Sequence, residues 1–312
     1  MNEFQVAIAA LSAVVLFLYG LQAFSAELQK IGGAALREWL PRVTANRWYG
    51  FAIGAVGTAL VQSSSATASL AVAFVDAGMI TFAGSLGILL GANVGTTATA
   101  WLVSMKLTGI GPLCIVAGTL IGALPWRGSM LGKAIFYFGL VFFALDLIGG
   151  ALRPLQDAGW FGAALLHARS PVVGILLGAL FTCLVQSSSV TTGLAIVLVQ
   201  QGMLPVESAV AIVAGANVGS TSTALLSSLG MSRAARDTAL ANLVFNACGA
   251  LLFLPLIGPL SGLLEETGSA ATAVASAHLL FNLGIAAVFL PVLPRIEPLL
   301  TRWRLGAARR TM

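Results

Sequence analysis

One polar sequence occurs twice in this chain, each time inside an apolar stretch. Val61–Ser65 reads Val-Gln-Ser-Ser-Ser, and Val185–Ser189 repeats it. Each copy is followed by Gly-Ala-Asn-Val-Gly, at Gly91–Gly95 and at Gly215–Gly219, and both pairs of motifs are separated by the same 124 positions. An offset shared by two motifs indicates a duplicated structural unit, and duplication limits the architectures that the chain can adopt.

The similarity between the two halves extends beyond these motifs. Roughly half of the positions are identical when residues 54–100 are aligned with residues 178–224. We therefore predict one repeat within residues 1–133 and a second within residues 134–312, with a basic tail at the end of the second repeat.

The composition is that of a membrane protein. Only 9% of the 312 residues are charged and 58% are hydrophobic, with a mean hydropathy of +0.96, whereas a soluble domain carries roughly 25% charged residues. The first apolar run lacks a basic start and a cleavage site, so it is predicted to be a span of a chain whose mature form begins at Met1.

Apolar runs that reach the ~20 residues needed to span a bilayer lie near 5–28, 107–125, 134–152, 238–260 and 272–294. Four further segments, near 50–75, 79–104, 171–200 and 203–229, are interrupted by the motifs.

Two topologies fit this pattern, and the distribution of Lys and Arg between the two sides of the membrane does not separate them. Either every apolar segment crosses the membrane once, or the Gln-Ser-Ser-Ser segments form re-entrant hairpins and the two repeats are inverted. Segments 50–61 and 66–75 are too short to cross ~30 Å of hydrocarbon as helices, which favours hairpins. We predict an all-α polytopic membrane protein with two inverted repeats, each with a re-entrant helical hairpin and a broken helix, in the inner or plasma membrane.

The Gln-Ser-Ser-Ser motif is costly to expose to lipid and is therefore expected to face protein or water. A helix that begins at Ser64 or Ser65 would direct free backbone N–H groups and the positive end of its dipole at the motif, which favours an anion. Gln62 and the serine hydroxyls add neutral oxygens suited to a hard, weakly charged cation.

The second motif is predicted to interrupt a helix, because its two glycines flank Asn93 in one repeat and Asn217 in the other. A hydroxyl-rich stretch follows, in which Thr96, Thr97 and Thr99 align with Ser220, Thr221 and Thr223. Two copies brought together would form a cage of hydroxyls, amides and helix N-termini without Arg, Lys or His. An anion in such a cage would need co-bound cations, which is a physical reason to expect ion coupling.

Other functions are less well supported by the sequence. The net charge of +5 lies in short loops and at the C-terminus, so no nucleic acid is expected as a partner. A serine hydrolase, and an enzyme in general, is not predicted, because neither His167 nor His278 has a matching acid and the nucleophile-elbow pattern is absent.

Asn246 and Asn282 are predicted to be interhelical anchors. Three isolated cysteines, Cys114, Cys183 and Cys248, are predicted to be small core residues and not a metal or redox site.

At these residues the chain resembles the type II sodium-phosphate cotransporter family, from Tyr19 to about Pro291. The hallmark of that family is two Gln-Ser-Ser-Ser motifs in inverted repeats, each followed by a Gly-Ser/Ala-Asn-x-Gly-Thr stretch. The resemblance implies secondary active transport of inorganic phosphate with Na⁺ as the coupling ion, working by alternating access. The phosphate ligands predicted from it and from the repeat are Ser63, Ser64, Ser65, Ser187, Ser188, Ser189, Asn93 and Asn217. The predicted Na⁺ ligands are Gln62, Gln186, Ser187, Thr96, Thr99, Ser220, Thr221 and Thr223.

Some features depart from the family pattern or leave alternatives open. The stretch after Thr99 holds Lys106 and no acidic residue like the one tied to an additional sodium in some members, so the stoichiometry is open. Bacterial members often carry a C-terminal phosphate-regulator-type domain, and here the chain ends at Met312, so such regulation would need a separate protein. The other expected partners are phosphate, sodium ions, the lipid bilayer and a second copy of the chain. Export of phosphate, transport of another tetrahedral anion such as arsenate, and a non-transporting phosphate sensor remain alternatives.

Overall fold

The computed structural model describes residues 3–39, 46–105, 109–124, 129–152, 154 and 170–308. Within these residues the chain forms thirteen α-helices and a 3₁₀ turn, and it forms no strand. The prediction of an all-α protein is therefore confirmed for the described part of the chain.

The first seven helices carry the first copy of each motif. They are α1 (Glu3–Trp39), α2 (Arg47–Val61), α3 (Ser64–Asp76), α4 (Phe82–Gly95), α5 (Thr97–Ser104), α6 (Ile110–Ala123) and α7 (Ser129–Leu152). The remaining helices carry the second copy. They are α8 (Pro171–Val185), α9 (Ser188–Gln200), α10 (Val206–Ser227), α11 (Arg233–Phe253), the 3₁₀ turn Leu254–Leu256, α12 (Ile257–Thr267) and α13 (Ala270–Ala308).

Six segments among the described residues are long and apolar enough to cross a membrane, which makes the chain a multi-pass membrane protein. The predicted run 107–125 is not one of them, because its helix spans only the 14 residues of α6. Gly109, in the left-handed conformation at φ 82°, ends the helix on that side. The six segments are Gln5–Glu38, Phe82–Ser104, Leu131–Ala151, Val206–Ser227, Arg233–Thr267 and Ala270–Arg295.

The predicted break at the second motif is wrong for the second copy. Helix α10 runs without interruption from Val206 to Ser227, through Asn217. In the first copy, α4 and α5 are separated by Thr96 alone, and its backbone is helical with φ −65° and ψ −20°. The asparagine therefore lies inside a helix, and the flanking glycines must have another purpose.

That purpose is close helix packing. A Cβ atom on Gly91 would lie 2.0 Å from the carbonyl oxygen of Phe51, and one on Gly215 would lie 2.0 Å from the carbonyl oxygen of Ile175. These contacts press α4 against α2 and α10 against α8 at backbone distance, as small residues do between membrane helices. The same packing thus occurs at both copies of the motif, 124 positions apart.

The helices of the two halves interleave instead of forming separate bodies. Helix α3 contacts α10 and α11, and α13 contacts α4 and α5. Helix α1 packs mainly against α7 and also contacts α9, where the ring of Phe17 covers Gly193. These contacts hold the motif segments α2–α3 and α8–α9 together in one helical bundle.

Candidate functional site

Each Gln-Ser-Ser-Ser motif begins with a glutamine in the left-handed conformation. Gln62 has φ 57° and ψ 29°, and Gln186 has φ 59° and ψ 24°. These two are the only non-glycine residues with positive φ in the described part of the chain. Such geometry is uncommon for a residue with a side chain, and it clusters at functional sites. It ends α2 and α8 and lets the chain start a new helix two residues later.

Buried threonine pairs join the two helices of each motif. The hydroxyl of Thr58 on α2 donates to that of Thr67 on α3 at 2.9 Å. Thr182 on α8 and Thr191 on α9 share the equivalent hydrogen bond at 2.6 Å. Because all four side chains are buried, each pair holds its turn in a fixed shape.

The glutamine side chains are held by the hydroxyl-rich stretch that follows the second motif. Thr99 Oγ1 donates to Gln62 Oε1 at 2.8 Å, and Thr223 Oγ1 donates to Gln186 Oε1 at 2.7 Å. The Nε2 group of each glutamine donates to the carbonyl of the residue three positions earlier. With Nε2 and Oε1 both engaged, the orientation of each amide is fixed.

The first serine of each motif precedes a helix N-terminus. Ser63 Oγ accepts a hydrogen bond from Ala66 N at 3.2 Å, which caps α3. Ser187 makes no such capping bond to α9. Both helices have 13 residues, so each presents unpaired N–H groups and a positive dipole end at its motif.

The two motifs meet at one cavity of about 200 Å³. We call it the motif cavity. Its volume is several times the roughly 30 Å³ that one water occupies in the liquid, so it has room for a small polyatomic ion. It is lined by Gln62, Ser63, Ser64, Ser65, Gln186, Ser187, Ser188 and Ser189, together with Leu21, Gln22, Ser25 and Gln29 of α1.

The lining of the motif cavity is polar and uncharged, since none of the described residues around it is Asp, Glu, Lys, Arg or His. It offers hydroxyl groups, amide oxygens and two helix N-termini. Among the described residues no cluster of three or more His, Cys, Asp or Glu side chains occurs. The cavity therefore suits an anion accompanied by a weakly charged cation better than a tightly bound transition metal.

Helix α1 contributes residues that the motifs alone did not indicate. Ser25 Oγ donates to the carbonyl oxygen of Val61 at 3.0 Å, and Gln29 Nε2 donates to Ser25 Oγ at 3.3 Å. Gln22, Ser25 and Gln29 are spaced by three and four residues, so they share one face of the helix. Polar residues at this spacing on an apolar helix were the signal that could have identified them.

The asparagines of the second motif are not among the residues that line the motif cavity. Asn93 Nδ2 donates to Asn246 Oδ1 at 3.3 Å, which joins α4 to α11. Asn217 Oδ1 lies 3.4 Å from His278 Nε2, which joins α10 to α13. The prediction that Asn246 is an interhelical anchor is confirmed. The described bond of Asn282 stays within α13, so the same prediction for Asn282 is not confirmed.

Five of the predicted sodium ligands also lie outside the lining of the motif cavity, namely Thr96, Thr99, Ser220, Thr221 and Thr223. Ser220 Oγ donates to Asn217 O and Thr221 Oγ1 donates to Val218 O, each at 2.7 Å. Thr96 is the helical residue between α4 and α5. All of these sodium-ligand roles stay predictions. Gln62, Gln186 and Ser187 line the cavity, and Thr99 and Thr223 are linked to it only through their hydrogen bonds to the glutamines.

The two copies of the motif differ in how well they are covered. Gln62 is only 7% exposed, because α1 packs across the end of α2. Gln186 is exposed, and so is Cys183 one turn before it. The prediction that all three cysteines are core residues is therefore wrong for Cys183, since α8 packs mainly against α9 and α10 and leaves its other face open.

The sequence matches the family described as Na⁺/Pi-cotransporter over residues 16–150 and 163–285. These ranges contain every residue that lines the motif cavity. The chain belongs to the Na⁺/Pi-cotransporter family. This is a family of transporters and not of enzymes, so the resemblance inferred from the motifs is confirmed.

Curated relatives extend the comparison. YjbB of Salmonella typhimurium, named provisionally as an inorganic phosphate export protein, is 34% identical over 261 residues, which are 82% of this chain and 48% of the relative. YqeW of Bacillus subtilis, an uncharacterized protein, is 29% identical over 257 residues, 81% of this chain and 83% of YqeW. Human sodium-dependent phosphate transport protein 2B is 33% identical over 98 residues, 30% of this chain and 14% of that protein.

The chain thus spans about half the length of its YjbB relatives. No solved structure matches it significantly.

Proposed function

We propose that this chain carries inorganic phosphate across the membrane together with sodium, and that both bind in the motif cavity. The observation that carries the proposal is the meeting of the two Gln-Ser-Ser-Ser motifs at one uncharged polar cavity, in a chain of the Na⁺/Pi-cotransporter family. Family membership indicates the substrate, and the chemistry of the cavity explains how it would be held.

Phosphate is expected at the N-termini of α3 and α9. Backbone N–H groups and the positive end of a helix dipole stabilise an oxyanion there, and serine hydroxyls can donate to its oxygens. Ser187 has the freer hydroxyl of the two first serines, because Ser63 Oγ already caps α3. The proposed phosphate ligands are therefore the serines at 63–65 and 187–189, which line the motif cavity. Asn93 and Asn217 do not line it and are not included.

Sodium supplies the charge that the cavity lacks. A desolvated anion without a counter-charge is costly to hold in a low-dielectric interior, and the lining of the cavity has no cationic side chain. An amide oxygen has two lone pairs. Thr99 and Thr223 each donate to one of those on Gln62 and Gln186, which leaves the second pair of each glutamine for a sodium ion.

The working cycle follows from the same elements. We propose that α2–α3 and α8–α9 are re-entrant hairpins of two inverted repeats, which is a recurrent plan in secondary transporters. Their lengths of 13 to 15 residues correspond to about 20 Å of helix, less than the ~30 Å of the hydrocarbon core. Relative movement of the hairpins would expose the cavity to one side of the membrane and then to the other.

Export is a second candidate for the direction of transport. It is favoured by the YjbB relatives, which are named as phosphate export proteins on a provisional basis. The same cavity would serve either direction, because the ion gradients across the membrane decide the net flux of a reversible carrier. A membrane sensor that binds phosphate without moving it would use the same ligands.

Labelled phosphate flux in proteoliposomes separates these functions. An inward sodium gradient is compared with a potassium gradient of equal size, and protein-free liposomes provide the background. The proposal predicts phosphate accumulation with sodium only, and release of preloaded phosphate when the gradient is reversed. Phosphate binding without flux under any gradient would instead support the sensor. Flux that is equal with sodium and potassium would refute the coupling.

A further inference from the structure

A second and larger cavity lies beside the motif cavity. It has a volume of about 570 Å³ and is bounded by the C-terminal part of α1, the end of α2 and the first turns of α3. We call it the vestibule. Gln29, Gly33 and Arg37 line it, and their spacing of four residues places all three on one face of α1.

The two cavities share one lining residue, and a hydrogen bond joins a residue of one lining to a residue of the other. Gln29 lines both of them. Ser25 lines the motif cavity and Val61 lines the vestibule, and the bond from Ser25 Oγ to Val61 O, at 3.0 Å, joins α1 to α2 between them. Separation of α1 from the end of α2 would therefore merge the two cavities.

The vestibule also contains a positive charge, which the motif cavity does not. Arg37 is exposed to it, two turns along α1 from Gln29, or ~12 Å at 1.5 Å per residue. A guanidinium in a recess attracts anions from solution and recognises phosphate oxygens in a bidentate manner. Ser69, on the α3 side, adds a hydroxyl to the same lining.

We propose that the vestibule is the route by which phosphate reaches the motif cavity from one side of the membrane. Arg37 captures the anion, and Gln29, with the contact of Ser25 to Val61, forms the gate to the motif cavity. This inference rests on the proposed function, since it names the path to the same site. Arg37 acts on capture only, because it lies too far along α1 to contact an anion in the motif cavity.

The first test fills the vestibule without disturbing the fold. A Cβ on Gly33 would meet only Gln29 Cβ, at 3.9 Å, and a Cβ on Gly32 would meet nothing within 4 Å. Gly33→Leu is expected to reduce the maximal phosphate flux at least ten-fold. Gly32→Leu is the matched control, because Gly32 itself does not line the vestibule, and it should transport like the wild type. Wild-type flux in Gly33→Leu would overturn the proposal.

The second test concerns charge. Arg37→Gln is expected to raise the KM for phosphate roughly five-fold at low ionic strength with kcat unchanged, as for the loss of one solvent-exposed charge contact. The difference in KM between Arg37→Gln and the wild type should disappear in roughly 0.5 M salt, where screening is strong. Arg37→Lys should restore the wild-type KM in part, and Arg233→Gln, an exposed arginine at the start of α11, should have no effect. An unchanged KM in Arg37→Gln at low salt would overturn capture by Arg37.

A labelling experiment distinguishes failure of this inference from failure of the proposed function. Ala34, which lines the vestibule, is replaced by Cys in a protein whose three native cysteines are replaced by Ser. An anionic methanethiosulfonate should react faster than a cationic one, and Arg37→Gln should remove the preference. This readout needs no flux. If wild-type protein carries no phosphate, the proposed function fails. The labelling rates then test the vestibule separately: an anionic preference that Arg37→Gln removes supports it, and equal rates for the two reagents overturn it.

Discussion

Thr223 donates its hydroxyl to Oε1 of Gln186 at 2.7 Å. Thr99 and Gln62 form the same bond 124 positions earlier, at 2.8 Å. Each bond connects the end of one motif helix to the hydroxyl-rich segment that follows the second motif, so both motif regions of each repeat act on one side chain. The bond holds the amide oxygen, while the bonds of Nε2 hold the other end of the same amide.

Loss of this hydrogen bond should weaken sodium binding more than phosphate binding. Thr223→Val keeps the shape of the side chain and removes the donor, so Oε1 of Gln186 is no longer held, although Nε2 keeps its bonds. A hydrogen bond of this kind contributes roughly 1 kcal/mol, so we expect the sodium concentration for half-maximal phosphate flux to rise about five-fold to ten-fold. Thr119→Val on α6 is the control, because Thr119 is exposed and donates only to Ile115 O of its own helix. Equal sodium dependence in both variants would argue against the role given to Thr223.

The packing of the motif glycines should not tolerate a methyl group. Gly215→Ala would place a Cβ 2.0 Å from a backbone oxygen of α8, and overpacking of this kind costs at least 1–3 kcal/mol. In Gly284→Ala the Cβ meets nothing within 4 Å, and Ala is a better helix former by about 1 kcal/mol. We expect the first variant to unfold at a lower temperature in detergent and the second to keep or raise the unfolding temperature. Comparable unfolding temperatures would contradict the packing described for α8 and α10.

The exposed carboxylate of Asp76 should make the stability of the protein depend on pH. Asp76 Oδ1 accepts the backbone N–H of Ser232 at 2.6 Å. This bond, with a smaller contribution from the Ser232 side chain, lowers the pKa of Asp76 below its usual value. Because the folded pKa is the lower one, the stabilisation is present above the unfolded pKa of about 4 and is lost as the pH falls through the folded pKa.

The measurement is the unfolding temperature of wild type, Asp76→Asn and Asp76→Ala between about pH 2.5 and 6. Asn keeps a neutral acceptor, so the wild type should approach Asp76→Asn as the pH falls below roughly 4. A gap between the two that stays constant over the whole range would show that the ionised form of Asp76 contributes nothing to the bond with Ser232.

Much of this site could be predicted from sequence, because most of the residues that line the cavity belong to two repeated motifs. The serines and glutamines at positions 62–65 and 186–189 are polar residues in an apolar chain, and their duplication indicated that they meet. The cost of burying polar groups then predicted a shared interior cavity. The left-handed backbone of Gln62 and Gln186 had no such signal, since glutamine has no preference for that conformation.

Other features depended on packing that a motif does not encode. The glycines beside Asn217 predicted a helix break, yet they serve the contact of α10 with α8, and sequence does not distinguish these two uses of glycine. The contribution of α1 to the motif cavity, through Ser25 and Gln29, required knowledge of which helix lies across the motif. The exposure of Cys183 follows from a helix face that no other helix in the described part covers closely.

The most direct test of the central claim is equilibrium binding of labelled phosphate to the purified protein in detergent, in sodium and in potassium of equal ionic strength. Wild-type protein is compared with Gln186→Ala and with Thr119→Ala as the control. We predict that binding requires sodium, that it is lost in Gln186→Ala, and that it is unchanged in the control. Phosphate binding that is equal in both salts and survives in Gln186→Ala would contradict a shared phosphate and sodium site in the motif cavity.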